Sequence, residues 1–418
     1  MFNTISVVGL GYIGLPTAAL FAASGCTVIG VDVNPHVVDT VNDGRIHIVE
    51  PELSGVVHHT VTQGKLRASL TAEPASAYLI AVPTPVRADH SPDLSYIHAA
   101  AQTIAPVLAP GALVVLESTS PVGSTRKLAH WLAHARPDLS FPQDAGEAAD
   151  IQIAYCPERV LPGHVMRELV ENDRVIGGMS QTATRTAIAL YGKAVRGECI
   201  PTTAETAEMC KLVENSSRDV QIAFANELSM ICEKFDVNVW DLIALANRHP
   251  RVNILQPGAG VGGHCIAVDP WFIIDSAPAE ARLIRMAREV NESKPQWVLD
   301  KAKAAITDFL SQHPDRSLSS VRLACLGLAF KPNIDDLRES PALGIACDLA
   351  HLGCEMLVVE PHIDALPEGL AQGAVRLVDL DPAQQQADVI CVLVKHSVFA
   401  GVRDHLSAEQ ILVDVVGL

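Results

Sequence analysis

The first 200 residues alternate short β-branched runs with longer Ala-rich segments of helical period. TISVVG at 4–9, TVIGV at 27–31, AYLIAV at 77–82, ALVVLE at 112–117 and DIQIAY at 150–155 read as strands, and 14–24, 35–43, 95–108 and 123–135 as helices. Strand, helix, strand repeated in this way predicts right-handed βαβ units and a parallel doubly wound sheet. From about 203 to 247 the pattern turns to long helices without strand signals. TAEMCKLVENSSRDVQIAFANELSMICEKF reads as one helix, long enough to span a domain junction or pack in a subunit interface. A Gly-rich loop at 257–265 and a second long helix, from about 279 to 311, follow. HPDRSLSS at 313–320 reads as a polar linker. Alternation then resumes in VRLACLG, a helix from about 341, EMLVVE, DVICVLV and QILVDVV. Three domains are expected: α/β over 1–202, helical over 203–312, and α/β over 313–418.

Composition narrows the partners. With 49% hydrophobic and 19% charged residues, the 418-residue chain has ample material for cores, so global disorder is excluded. A net charge of −17 repels nucleic acid and anionic membrane surfaces, and an anionic ligand would need a local basic cluster. Ten scattered cysteines without a C-x-x-C pair speak against a zinc or disulfide framework, so no metal is expected. The opening MFNTISVVGLGYIG runs straight into a strand without a basic n-region, and no run of about 18 apolar residues follows, so neither a signal peptide nor a membrane span is expected. A soluble, cytoplasmic protein is expected.

Gly9-Leu-Gly11-Tyr12-Ile13-Gly14 follows the first strand and opens a helix, and the second strand ends at Asp32. This is the arrangement of a dinucleotide site: a tight turn at Gly9, close approach of a pyrophosphate at Gly11, close packing at Gly14, and a carboxylate for the ribose hydroxyls. A packing turn with an incidental aspartate is the alternative. With no arginine directly after it, Asp32 favours NAD over NADP. The expected fold is therefore two Rossmann-like doubly wound domains joined by a helical centre.

GVGGHCIAVDPW places Cys265 in a Gly-rich loop, after His264 and four residues before Asp269. Loop backbone and neighbouring charges can activate a thiol. Lys211, Asn215 and Asp219 share one helical stripe, with Arg218 beside them. Spacing alone leaves open an inert cysteine and a solvated helix face. Arg248, His249, Arg251, Lys331 and Arg338 could hold a diphosphate in this acidic chain. Glu158 and Arg159 lie in a Pro-bounded loop after a strand, a usual place for site residues.

Seven motifs occur in an order that resembles the UDP-glucose/GDP-mannose dehydrogenase family over essentially the whole chain. They are GLGYIGLP at 9–16, AVPTP at 81–85, ESTSPVGST at 117–125, CPERVLPG at 156–163, KLVENSSRD at 211–219, GVGGHCIAVDP at 260–270 and LAFKPNIDDLRESP at 328–341. The CPERVLPG form separates the chain from the UDP-glucose and GDP-mannose branches, which read NPEFL there. The resemblance implies Cys265 as nucleophile, Lys211 as catalytic lysine, Asp269 as a carboxylate acting through water, and Thr119 and Glu158 near the reacting carbon. It implies substrate contacts from Arg159, Val160, Lys211, Asn215, Arg218, His249, Arg251, Gly262, Phe330 and Lys331. NAD contacts are implied for Gly9, Gly11, Tyr12, Ile13, Gly14, Asp32, Thr84, Thr119 and Arg338. The closing LVDVVGL departs from the family's D-x-[KR]-G ending.

The activity implied is a four-electron oxidation at C6 of UDP-N-acetyl-D-mannosamine through a cysteine thioester, serving polysaccharide biosynthesis, in a homodimer or higher homo-oligomer. UDP-N-acetylglucosamine and UDP-glucose are alternative substrates. A two-electron hydroxy-acid dehydrogenase and a non-catalytic NAD-binding scaffold are rivals of other classes. Both leave Cys265, Lys211 and Asp269 unexplained.

Overall fold

The computed structural model describes residues 2–418 except 51, 161–162, 264 and 372–373. The chain divides into two compact units, Met1–Glu214 with Trp271–Pro278, and Asn215–Pro270 with Ala279–Leu418.

The first unit is built on strands β1 (Thr4–Val8), β2 (Thr27–Val31), β3 (Leu66–Ser69), β4 (Ala77–Ile80), β5 (Leu113–Leu116), β6 (Gln152–Tyr155), β7 (Arg174–Gly178) and β8 (Cys199–Thr203). They form one sheet in the order β3-β2-β1-β4-β5-β6-β7-β8. β1 lies parallel between β2 and β4, with Val8 opposite both Val31 and Ile80, so three strand ends are level where the order reverses. That reversal is where doubly wound sheets open a ligand crevice. β4, β5 and β6 are buried along their whole length, as strands covered by helices on both faces must be.

The five expected strands of this region form, trimmed by a residue or two. β3, β7 and β8 gave weaker signals, because β3 alternates around exposed Arg67, β7 ends in Gly-Gly and β8 carries Pro201. The sheet also departs from the all-parallel expectation, since β7 runs antiparallel to β6.

The second unit holds β9 (Arg322–Leu326), β10 (Glu355–Val359), β11 (Val375–Leu377), β12 (Val389–Val392) and β13 (Ile411–Asp414), all parallel, in the order β11-β10-β9-β12-β13. This repeats the order of the first five strands of the other unit. The expected echo between the two ends of the chain is therefore a shared topology.

The expected long helices run Ala204–Lys234 and Arg282–Gln312. Within the second unit they are cross-linked by buried polar pairs: Asp219 with Arg288 at 2.7 Å, Asn226 with Asn291 at 2.9 Å, and Lys294 with Ser229 at 2.5 Å. The partners ascend together in number, so the helices run in the same direction.

One reading changes here. Asp219 is fully buried against Arg288, and burial pushes its carboxyl up against the pull of that arginine, so it is a packing residue rather than part of a site stripe. The polar segment 313–320 links the helix Arg282–Gln312 to β9 and is pinned at His313 and Arg316. Arg316 reaches Asp388 at 2.8 Å and His313 stacks on Phe309.

Candidate active site

In the first unit the glycine turn leaves no room for side chains at two of its three positions. Gly9 has φ +90°, and a Cβ there would lie 2.5 Å from the Ala81 carbonyl oxygen. A Cβ on Gly14 would lie 1.7 Å from the Gly9 oxygen. At Gly11 a Cβ would meet nothing within 4 Å, so this backbone faces open space. Asp32, at the end of β2, accepts the Leu10 N–H on one oxygen and the Asn34 N–H on the other, both at 2.9 Å. Each oxygen keeps acceptor capacity for a ribose hydroxyl. Tyr12 is exposed and Ile13 half-buried at the start of the helix.

The loops after β4 and β5 are laced together. The Thr84 hydroxyl donates to the Thr119 carbonyl, and the Ser118 hydroxyl to the Val82 carbonyl at 2.7 Å. Beside them, buried Glu208 accepts the N–H groups of Gly123 (2.6 Å) and Thr125 (2.7 Å), which caps the helix Ser124–Ala135. A carboxylate at a helix N-terminus satisfies donors the helix cannot.

Glu158 follows β6 and is buried. One oxygen accepts Arg174 Nη1 at 2.6 Å, and the other accepts the Arg159 N–H at 2.6 Å. Arg174 lies on neighbouring β7 and also donates to the Leu169 carbonyl. Burial pushes the nearby Glu117 carboxyl up to about 7, although Tyr191 donates to it and Arg174 draws it down. Burial likewise pushes the Cys156 thiol up to about 12, so Cys156 is an inert core cysteine. Arg159 pairs with Glu214 at 2.7 Å, Val160 packs on the small cluster around Leu20, Val165 and Leu169, and Lys211 is half-buried on the long helix.

In the second unit Cys265 is exposed, alone among the ten cysteines. Its carbonyl accepts the Asp269 N–H at 2.9 Å, so the carboxylate residue sits on the turn that leads from the thiol into the helix Asp269–Ser276. Asp269 is buried, and Asn215 donates to its Oδ2 at 2.6 Å. Asp269 thus joins the Cys265 backbone to the Asn215 side chain. His264 lies outside the described residues.

The glycines before Cys265 are explained by packing. A Cβ on Gly262 would lie 2.4 Å from the Glu339 oxygen and 2.8 Å from Phe330 Cβ, and one on Gly263 would lie 3.0 Å from the Phe330 ring. The cysteine loop therefore lies directly against the loop that carries Phe330, Lys331 and Arg338. Lys331 is exposed, and Arg338 pairs with Asp336 at 2.7 Å. Arg218 on the long helix and His249 and Arg251 beyond the helix Val239–Ala246 are exposed.

Arg174, Glu117 and Glu208 were not among the site residues expected from sequence. Glu117 and Glu208 are buried with partners 74 and 83 positions away, and Arg174, buried with partners 16 and 5 positions away, gave only the signal of an arginine opening the apolar strand RVIGG at 174–178.

Residues 3–195 match the UDP-glucose/GDP-mannose dehydrogenase family, NAD binding domain; 205–293 match its central domain and 324–418 its UDP binding domain. The chain is 61% identical to the UDP-N-acetyl-D-mannosamine dehydrogenase of Salmonella typhi, over 100% of this chain and 99% of that protein. It is 59% identical to the NDP-N-acetyl-D-galactosaminuronic acid dehydrogenase of Ralstonia nicotianae, over 100% and 96%. The solved UDP-D-ManNAc dehydrogenase of Pyrococcus horikoshii is similar with a TM-score of 0.84 at 36% identity, over 99% of this chain and 95% of that one. The glycine turn with its aspartate, the exposed cysteine on its carboxylate turn and three consecutive domain matches agree: this chain is a dehydrogenase with an NAD-binding domain and belongs to the UDP-glucose/GDP-mannose dehydrogenase family.

Proposed function

We propose that the chain oxidises C6 of UDP-N-acetyl-D-mannosamine from alcohol to carboxylate, with Cys265 carrying the intermediate. The observation that carries this reading is the exposed Cys265 on the turn that holds buried, Asn215-bonded Asp269, in a chain 61% identical to a UDP-N-acetyl-D-mannosamine dehydrogenase over its full length. The open backbone at Gly11 and the Asp32 carboxylate fit NAD, which when bound accepts a hydride in each of the two oxidations. Cys265 adds to the aldehyde, and loss of hydride from the thiohemiacetal gives a thioester. Asp269 and Glu158 position the water that hydrolyses it, and Lys211 stabilises the oxyanion or moves the proton. Thr119 lies near the reacting carbon, and Tyr12, Ile13, Thr84 and Arg338 contact the cofactor. Arg159, Val160, Asn215, Arg218, His249, Arg251, Gly262, Phe330 and Lys331 hold the nucleotide sugar. The domains serve as cofactor domain (1–202), central domain (203–312) and UDP-sugar domain (313–418).

The enzyme works as a homodimer at least. Phe224 on the long helix and Leu283 and Met286 on the helix Arg282–Gln312 are exposed around an apolar groove of about 390 Å³, as suits a face covered by a second copy. Arg251 reaches the partner's substrate, so mixed dimers of Cys265→Ala and Arg251→Ala chains regain activity; verified heterodimers that stay inactive remove the shared site. Ten unbridged cysteines suit a reducing cytoplasm. No helix among the described residues is long and apolar enough to cross a membrane.

A nucleotide-sugar panel tests the substrate. A site built to hydrogen-bond an acetamido group leaves its partners unpaired with a sugar lacking it, a mismatch of several kcal/mol. The highest kcat/KM is expected on UDP-N-acetyl-D-mannosamine. A higher value on UDP-N-acetylglucosamine, UDP-N-acetylgalactosamine or UDP-glucose overturns the assignment.

A further inference from the structure

The two units treat the same strand-end position differently. In the first, Gly9 at φ +90° donates its N–H to the Val31 carbonyl at 2.8 Å, and Asp32 at the end of β2 accepts the Leu10 N–H. In the second, Gly327 at φ +90° donates to the Val359 carbonyl at 2.8 Å, and Glu360 at the end of β10 accepts the Leu328 N–H at 2.7 Å. There the likeness stops. Asp32 is half-buried beside an open turn, whereas Glu360 is buried and its Oε2 also accepts from Ala329 N–H at 3.0 Å and His396 Nε2 at 3.1 Å.

His396 follows β12 and has no exposed side-chain surface. Its Nδ1 accepts the Asn333 N–H at 2.9 Å, so Nδ1 is the unprotonated nitrogen and Nε2 carries the proton given to Glu360. Both ring nitrogens are thereby engaged. Glu360, His362 and His396 approach one another within 4.8 Å, yet His396 has no lone pair left for a metal. Asn333 adopts φ +60°, and its Oδ1 accepts the N–H (2.9 Å) and hydroxyl (3.0 Å) of Ser397. The loop after β9 is therefore fastened at 328–329 by Glu360 and at 333 by His396 and Ser397. Phe330 and Lys331 lie between the fastenings. Burial pushes the Glu360 carboxyl up, but His396 and the two backbone N–H groups together hold it below the usual carboxylate range.

We propose that Glu360 and His396 form a positioning clamp: the strand-end acid that serves the cofactor in the first unit is turned inward in the second to set the loop presenting Phe330 and Lys331 to the nucleotide sugar. This rests on the reading above that Phe330 and Lys331 hold that substrate.

The test compares full-length wild type with His396→Ala, His396→Asn, His396→Gln and Lys331→Ala. UDP and NAD affinities are measured by calorimetry, and KM and kcat by steady-state kinetics. His396→Ala is expected to weaken UDP binding and raise the sugar-nucleotide KM by about tenfold or more, as misplacement of a binding group does. NAD affinity should be unchanged and kcat should fall far less. His396→Asn can still accept the Asn333 N–H and His396→Gln can still donate to Glu360, so each should bind UDP more tightly than the alanine variant. If His396→Ala does not fold, Asn333→Gly keeps the positive φ, removes the Ser397 bonds and should weaken UDP binding selectively. Unchanged UDP affinity in whichever of these variants folds overturns the clamp. Unchanged UDP affinity in Lys331→Ala instead overturns the placement of substrate on this loop.

Discussion

Replacing Arg174 with methionine probes a deeply buried part of the candidate site. Methionine keeps much of the apolar stem and removes the guanidinium that bonds Glu158 at 2.6 Å and the Leu169 carbonyl at 3.1 Å. The two side chains are 4% and 7% exposed, so water cannot replace the lost partner. At an effective dielectric of about 20, unit charges about 4 Å apart attract by about 4 kcal/mol. Breaking a buried pair and stranding one charge costs about 3–5 kcal/mol. Glu158 loses the bond that orients the carboxylate proposed to position water, so kcat should fall by about 100-fold. Thermal unfolding followed with and without NAD identifies the transition of the cofactor-binding unit, and that transition should move down by the equivalent of about 3–5 kcal/mol. NAD affinity should hold, because Asp32 and the glycine turn are untouched. A shift below about 1 kcal/mol together with kcat within twofold of wild type would refute the reasoning, since a buried unpaired carboxylate cannot be that cheap.

Glu117 gives a pH signature. Its folded-state carboxyl is raised from 4.5 to about 7, so the native protein holds a proton that the unfolded chain releases. Stability should therefore fall by roughly 3 kcal/mol as pH rises from about 4.5 to 7 and level off above, and Glu117→Gln should flatten that window; denaturant midpoints across pH that show equal slopes for both proteins exclude the assignment. Asp32→Ala should shift cofactor preference toward NADP by removing the charge that repels a 2′-phosphate. Kinetics with both cofactors check it, and wild-type use of NADP equal to NAD ends the claim.

Much of this arrangement was legible beforehand. Strong periodic signals, such as the β-branched runs that became β1, β2, β4 and β5 and the long helix Ala204–Lys234, survive into the fold because burial and period agree. The glycine turn and Asp32 were readable because their spacing is set within one βαβ unit. What escaped notice depends on contacts far along the chain. Asp219 looked like one member of a stripe until Arg288, 69 positions on, buried it. Glu208 caps a helix that starts some 80 positions earlier in the chain, and no local pattern announces that. Gly262 was expected at the substrate, and the structure adds a packing reason for it, since Phe330 and Glu339 leave no space for a side chain.

The central claim is that Cys265 carries the intermediate of a four-electron oxidation. A primary alcohol loses four electrons on becoming a carboxylate and each NAD takes two, so the aldehyde stage must be held while the cofactor is exchanged. The measurement is NADH formed per sugar in single-turnover experiments with wild type, Cys265→Ser and Cys265→Ala, alongside mass spectrometry of the protein. Wild type should yield two NADH per sugar. Cys265→Ser should fold, bind NAD and lose most turnover, with an acyl adduct on residue 265 as the trapped species, because serine is a weaker nucleophile and its ester hydrolyses more slowly. Near-native production of two NADH per sugar by Cys265→Ala would contradict the thioester route.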